Sequence, residues 1–122
     1  MIETVKLSEK AKYQLITLKR RTGIQNWNVL CRWAFCLSLA EKSAPPQEDV
    51  VTDSSVEMTW KTFTGNQEAL YTGLLLLRAK QDGITYEESK ISNYFKLHLH
   101  RGISYLNGSS SETIEKFLKL GL

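Results

Sequence analysis

The stretch Trp27–Ala40, WNVLCRWAFCLSLA, constrains the fold more than any other part of the chain. Nearly every residue in it is apolar, and the apolar residues do not keep to one stripe. On a helix, Trp27, Leu30, Cys31, Ala34 and Leu37 cover one side, while Val29, Trp33, Cys36 and Ala40 extend the apolar surface around the cylinder. A helix that is apolar all round is buried in a core or in a membrane. This one holds Arg32 near its middle and is shorter than the roughly 20 residues a membrane span needs. It is therefore expected at the centre of a core, wrapped by the other elements or by a second copy of the chain. Asn26 is placed to cap its start. Pro45-Pro46 lie just beyond its end, where proline stops a helix from continuing.

Upstream, Thr4-Val5-Lys6-Leu7 alternates polar and apolar, the period of a half-buried strand with Val5 and Leu7 inward and Thr4 and Lys6 outward. Such a strand needs a partner, in this chain or in a second copy. Ser8 is a suitable N-cap for a helix over about Glu9–Thr22, with Ala11, Leu15 and Leu18 as its core stripe and Gly23 as its left-handed stop. Strand, helix, glycine turn and buried helix follow one another in the order of a ribbon-helix-helix unit.

Downstream, Val50-Val51-Thr52 and Val56–Phe63 read as the two strands of a small β-hairpin. Three sequences have the form of a capping box: Thr64–Gln67, Thr85–Glu88 and Ser109–Glu112. The helices they open are expected over about Gln67–Asp82, with Leu70, Leu74 and Leu77 in phase for the core, from Thr85 to about Leu106, and over the last residues around Ile114, Phe117, Leu118 and Leu120. Gly102 weakens or divides the second of these, since glycine costs about 1 kcal/mol relative to alanine inside a helix. The expected fold is mainly α: a compact helical single domain over residues 1–122, with a short N-terminal strand, a ribbon-helix-helix-like start and a small hairpin.

Charge is unevenly spread. Residues 1–42 carry eight Lys/Arg against three Glu, residues 43–89 three against eight, and residues 90–122 five against two. A basic first third beside an acidic middle points to an anionic partner for the former. Lys6, Lys10, Lys12, Lys19, Arg20 and Arg21 gather on the first strand and helix and suit the DNA phosphate backbone, where each cation releases condensed counterions on binding. On the helix, Lys12 and Lys19 share one flank, Lys10 and Arg21 the other, and Arg20 points away. Arg32 is expected in an ion pair, within or between subunits, and Trp27, Trp33 and Trp60 as core or subunit anchors.

Catalytic chemistry finds little purchase. Cys31 and Cys36 stand about 140° apart on a helix, so they are expected as reduced, structural thiols. His98 and His100 face apart and lack further ligands at zinc-finger spacing. There is no glycine-rich phosphate loop. The acids of the middle section are too scattered to hold the metal ions of a nuclease. No cofactor, no metal and no membrane partner is expected, and cytoplasmic residence is the default, since the first ten residues carry charge where a signal peptide is apolar.

The run V-K-L-S-E-K-A-K-x-Q-L-I-x-L-K-R-R-T-G-I-x-x-W-N-V-L-C-R-W-A-F-C-L-S-L, from Val5 to Leu39, resembles the DndE family of DNA sulfur modification proteins. Met58–Gly65, MTWKTFTG, and Leu99–Leu106, LHRGISYL, are similar too. The resemblance implies a small helical protein of the DNA phosphorothioation system, which replaces a non-bridging phosphate oxygen with sulfur. It implies a non-catalytic subunit that binds double-stranded DNA with a preference for nicks. It further implies a homo-oligomer such as a tetramer, acting beside a cysteine desulfurase, an ATP-pyrophosphatase-like subunit and an ATPase. Two other readings stand beside it. One is a ribbon-helix-helix transcriptional regulator reading bases through Thr4 and Lys6. The other is a sulfur-transfer protein using Cys31 or Cys36.

Overall fold

In a computed structural model of the chain, residues 2–120 are described, with Ser111 through its backbone alone. The elements run β1 (Thr4–Lys6), α1 (Glu9–Thr22), α2 (Trp27–Ala40), β2 (Glu57–Thr59), α3 (Trp60–Thr64), α4 (Glu68–Gln81), α5 (Glu88–Asn107) and α6 (Ser111–Lys119). The apolar helix α2 is the centre, as its sequence requires. Leu30, Cys31, Trp33, Ala34, Phe35 and Ser38 are buried, and Trp27, Val29, Cys36, Leu37 and Leu39 are packed against the same core.

The long helix α5 lies across α2 at very short range. A Cβ placed on Gly102 would stand 1.8 Å from the Ala34 carbonyl oxygen. Gly102 therefore does not divide α5, which runs unbroken for 20 residues; it is the point at which the two backbones touch. Around this crossing Phe35, Phe63, Phe95, Trp60 and Tyr71 form an aromatic cluster with ring centroids 5.1–6.3 Å apart. Edge-to-face geometry among such rings adds about 0.5–1.5 kcal/mol per pair beyond burial.

Helix α1 has the expected bounds. Ser8 accepts the Ala11 amide at 3.1 Å, and Gly23 stops the helix at φ 75°. Asn26, by contrast, makes no capping bond; its neighbour Asn28 instead donates to the Thr62 carbonyl at 3.1 Å.

The expected hairpin does not form. Residues 50–52 have no strand structure, and the second run pairs with the N-terminal strand: β1 and β2 are antiparallel, with Thr4 opposite Thr59, Val5 opposite Met58 and Lys6 opposite Glu57. Val5 and Leu7 close over the core at 2 % and 0 % exposure. The run then turns into α3 because Thr59 caps it, accepting the Thr62 amide at 3.1 Å, and Gly65 ends it at φ 60°.

The capping boxes fare differently. Gln67 and Glu87, not Thr64 and Thr85, occupy the N-cap positions of α4 and α5, without side-chain capping bonds. In α6 the cap is Ser110, one residue later than Ser109. Helix α4 is also turned. Tyr71, Leu75, Arg78 and Ala79 face inward, while Leu70, Leu74 and Leu77 are 52 %, 36 % and 57 % exposed. The buried stripe lies roughly 100° around the helix from the leucine stripe.

Candidate nucleic-acid interface

The cations of β1 and α1 reach three directions. Lys12, Lys19 and Arg20 share about a third of the circumference of α1. Lys12 Nζ donates to the Ser55 hydroxyl at 3.1 Å, and Lys19 Nζ sits 4.5 Å above the Trp27 ring. Trp27 thereby supports a cation at the start of α2, while Trp33 and Trp60 are core residues at 2 % and 7 % exposure. Arg20 is exposed. None of the three has a carboxylate at salt-bridge distance among the described residues, where only Arg78–Asp82 and Lys90–Glu87 form ion pairs.

On the opposite flank, Lys10 borders an open cleft of about 750 Å³ between α1, α5 and residues 45–53, which also contains Glu48, Asp49 and Asp53. Arg21 has a task inside the fold. Its two terminal nitrogens donate to the Asn107 and Ser109 carbonyls, both at 2.7 Å, and so satisfy groups left over at the end of α5. Lys6 is exposed on the ribbon, directly across from Glu57. The six sequence candidates thus separate into one uncompensated group, one flank shared with acids or carbonyls, and a strand lysine.

Two arginines without a sequence signature prove central. Helix α2 ends without a left-handed glycine, so its last carbonyls need donors from elsewhere. Arg78 supplies them at 9 % exposure: Nη1 to the Leu39 carbonyl at 2.7 Å, and Nη2 to those of Glu41 and Ser43 at 2.7 and 3.0 Å, with Nε paired to Asp82 at 3.0 Å. Arg101 donates to the Ser38 carbonyl at 2.8 Å and to that of Ser43 at 2.9 Å. The missing C-cap of α2 is the one signal that could have announced them. Arg32 forms no ion pair within the chain among the described residues; it donates to the Phe63 carbonyl at 2.9 Å and its guanidinium packs against Gly65.

Both histidines are built into the core. Arg101 Nε donates to the Ser38 hydroxyl at 2.9 Å. That hydroxyl also shares a hydrogen bond with His98 Nδ1 at 2.8 Å, and the imidazole ring meets Phe35 and Tyr94 edge to face. His100 Nε2 accepts the Ser8 amide at 3.1 Å while Nδ1 donates to the Lys96 carbonyl at 2.8 Å. Burial, and then the positive charges of Arg101 and Arg78, push His98 from 6.5 down to about 4. The unfolded chain takes up this proton at higher pH than the folded one. The contribution is therefore intact above pH 6.5 and is lost as the pH falls through 4. The expected loss is about 3 kcal/mol. Urea unfolding at pH 7 and pH 4.5 checks this, and the fall is expected to shrink in His98→Gln.

The thiols are held neutral. Burial pushes Cys31 up to about 12, and raises Cys36 too, against smaller opposing effects of a Tyr71 hydrogen bond and of Arg32. The two sulfurs form no disulfide. Cys31 is buried, whereas Cys36 is half-buried and borders a small cleft together with Arg32. Among the described residues no three His, Cys, Asp or Glu side chains gather as a metal site, and no helix is long and apolar enough to cross a membrane.

Fold and surface together define a mainly helical protein, six helices and a two-stranded ribbon among the described residues, that presents uncompensated cations on its first helix. Residues 4–113 match the DndE family, "DNA sulphur modification protein DndE". The chain belongs to that family. The fold is that of two crystal structures of DndE. One, from Escherichia coli B7A and described as involved in DNA phosphorothioation modification, is 24% identical with a TM-score of 0.69 over 87% of this chain and 98% of that one. The other, a glycine-to-lysine mutant described as involved in DNA phosphorothioation, is 19% identical with a TM-score of 0.69 over 89% of this chain and 100% of that one. No curated protein matches the chain.

Proposed function

We propose that this protein is a non-catalytic DNA-binding subunit of the DNA phosphorothioation machinery, holding the duplex by its backbone while partner Dnd proteins deliver sulfur. The observation that carries the reading is the group Lys12, Lys19 and Arg20, three cations on one side of a helix with no carboxylate paired to them among the described residues. Such a group lowers its own repulsion by meeting phosphates. Family membership supports a place in the Dnd system, and the reading takes a cysteine desulfurase, an ATP-pyrophosphatase-like subunit and an ATPase as its partners there. The preference for nicked over intact duplex belongs to the same reading. So does self-association, for which the exposed leucines of α4 offer apolar surface.

Fluorescence anisotropy on matched intact and nicked duplexes over a salt series tests the reading. Wild type is expected to bind the nicked duplex more tightly. Lys12→Glu/Lys19→Glu/Arg20→Glu is expected to weaken binding at least about tenfold and to flatten the salt slope by roughly two to three, since each phosphate contact contributes about 0.9. Arg21 is left intact because it holds the end of α5. Equal, weak binding to both duplexes that ignores the charge reversals overturns the reading. Sedimentation of the same samples without DNA tests self-association, which Leu74→Glu is expected to weaken and which a monomeric wild type would exclude.

A further inference from the structure

A second cationic feature lies outside α1. Along β1 a small cleft of about 180 Å³ is bordered by Lys6 and by Lys96 of α5, with the hydroxyl-bearing residues Thr4, Thr52 and Ser92 and an apolar floor that includes Phe95. Its lining contains no carboxylate. The fold brings together two ammonium-bearing residues 90 positions apart, so their proximity is a property of the tertiary structure alone. Lys96 is half-buried, and among the described residues its ammonium makes a single long bond, 3.4 Å to the Val50 carbonyl. Lys6 has no ion pair among the described residues, and Glu57, opposite it on the ribbon, is not part of the cleft wall. Two like charges at the rim of one cleft, beside hydroxyl donors, call for an anion that accepts hydrogen bonds on several oxygens.

We infer that the cleft between Lys6 and Lys96 is a phosphate-group site. Both ammoniums hold the anion, and the hydroxyls of Thr4, Thr52 and Ser92 are available to orient its oxygens. The inference rests on the proposed DNA-binding role insofar as a backbone phosphate is the expected source of that group. It carries the contact surface from α1 across β1 onto α5 and adds Lys96, which no sequence pattern singled out. A free phosphate ion offers the same chemistry.

Two measurements separate the sources. In duplex binding followed by anisotropy, Lys96→Gln is expected to lower affinity about three- to tenfold and to flatten the salt slope by about one, as removal of a single phosphate contact does. Lys96→Arg is expected to restore both, with the thermal midpoint unchanged in either variant. In a titration of the DNA-free protein with inorganic phosphate, amide NMR shifts are expected at Lys6, Ser92 and Lys96 and lost in Lys96→Gln. Phosphate shifts without an effect on DNA binding support the site with free phosphate as its source. If the wild type binds no DNA, the DNA-binding role fails, and the phosphate titration alone still decides the cleft. No phosphate shifts, together with DNA binding and a salt slope that ignore Lys96→Gln, overturn the inference.

Discussion

Gly102→Ala is expected to destabilise the protein by about 3–4 kcal/mol, against the direction that helix propensity gives. Inside an isolated helix the same change gains about 1 kcal/mol, because alanine loses less backbone entropy. Here the added methyl carbon would lie 1.8 Å from the Ala34 carbonyl oxygen and 2.4 Å from its carbon. Both are main-chain atoms of a buried helix, so no side chain can swing away. Relief requires α2 and α5 to separate at their crossing, and that loosens the packing of Phe35 against Phe95, whose ring centroids are 5.2 Å apart. A useful control is Gly73→Ala on α4, where an added Cβ meets nothing within 4 Å. That change is expected to stabilise by up to about 1 kcal/mol. Urea unfolding of the two variants checks the opposite signs directly. A stabilised Gly102→Ala would mean that the two helices do not cross at this distance.

The second large effect is expected from Arg78. Arg78→Met keeps much of the apolar stem but removes every donor that Arg78 lends to the end of α2, leaving Arg101 alone there. The carbonyls of Leu39 and Glu41 then lose their arginine partner, that of Ser43 keeps only Arg101, and Asp82 loses its ion-pair partner in a half-buried position. Removing one member of a buried ionic network costs about 3–5 kcal/mol, most of it the desolvation of what is left behind. Arg78→Lys is expected to recover little of this, because a single ammonium cannot span acceptors lying on several sides of a planar guanidinium. Thermal unfolding ranks the variants, and Asp82→Asn is expected to cost less than either. An Arg78→Met protein as stable as wild type would show that the chain after α2 satisfies its carbonyls with water.

Much of the N-terminal third was legible in the residues themselves. The bounds of α1 follow from a serine that caps and a glycine that adopts φ 75°, both local effects. The central place of α2 follows from its composition, since no rotation of that helix hides all of its apolar surface against a single neighbour. The alternation of Val5 and Leu7 told which side of the strand turns inward, but not its partner. Strand pairing is set by contacts more than 50 residues apart in the chain, which no short window contains. Of the cationic surface, the residues of α1 could be named in advance. Arg21 as a clamp on α5, and Lys96 beside Lys6, could not.

Helix α4 shows where the division lies. Its leucines at 70, 74, 75, 76 and 77 occupy several faces at once, so periodicity offers more than one stripe to bury. The sequence determined that a helix forms there and that it has apolar surface to spare. The tertiary structure decided which surface, because Arg78 had to reach the orphan carbonyls of α2 and Tyr71 the aromatic cluster, and these two placements turn Leu70, Leu74 and Leu77 outward. Unpaired polar groups in a core cost more than a few leucines left in water, and the need to satisfy them settled the rotation.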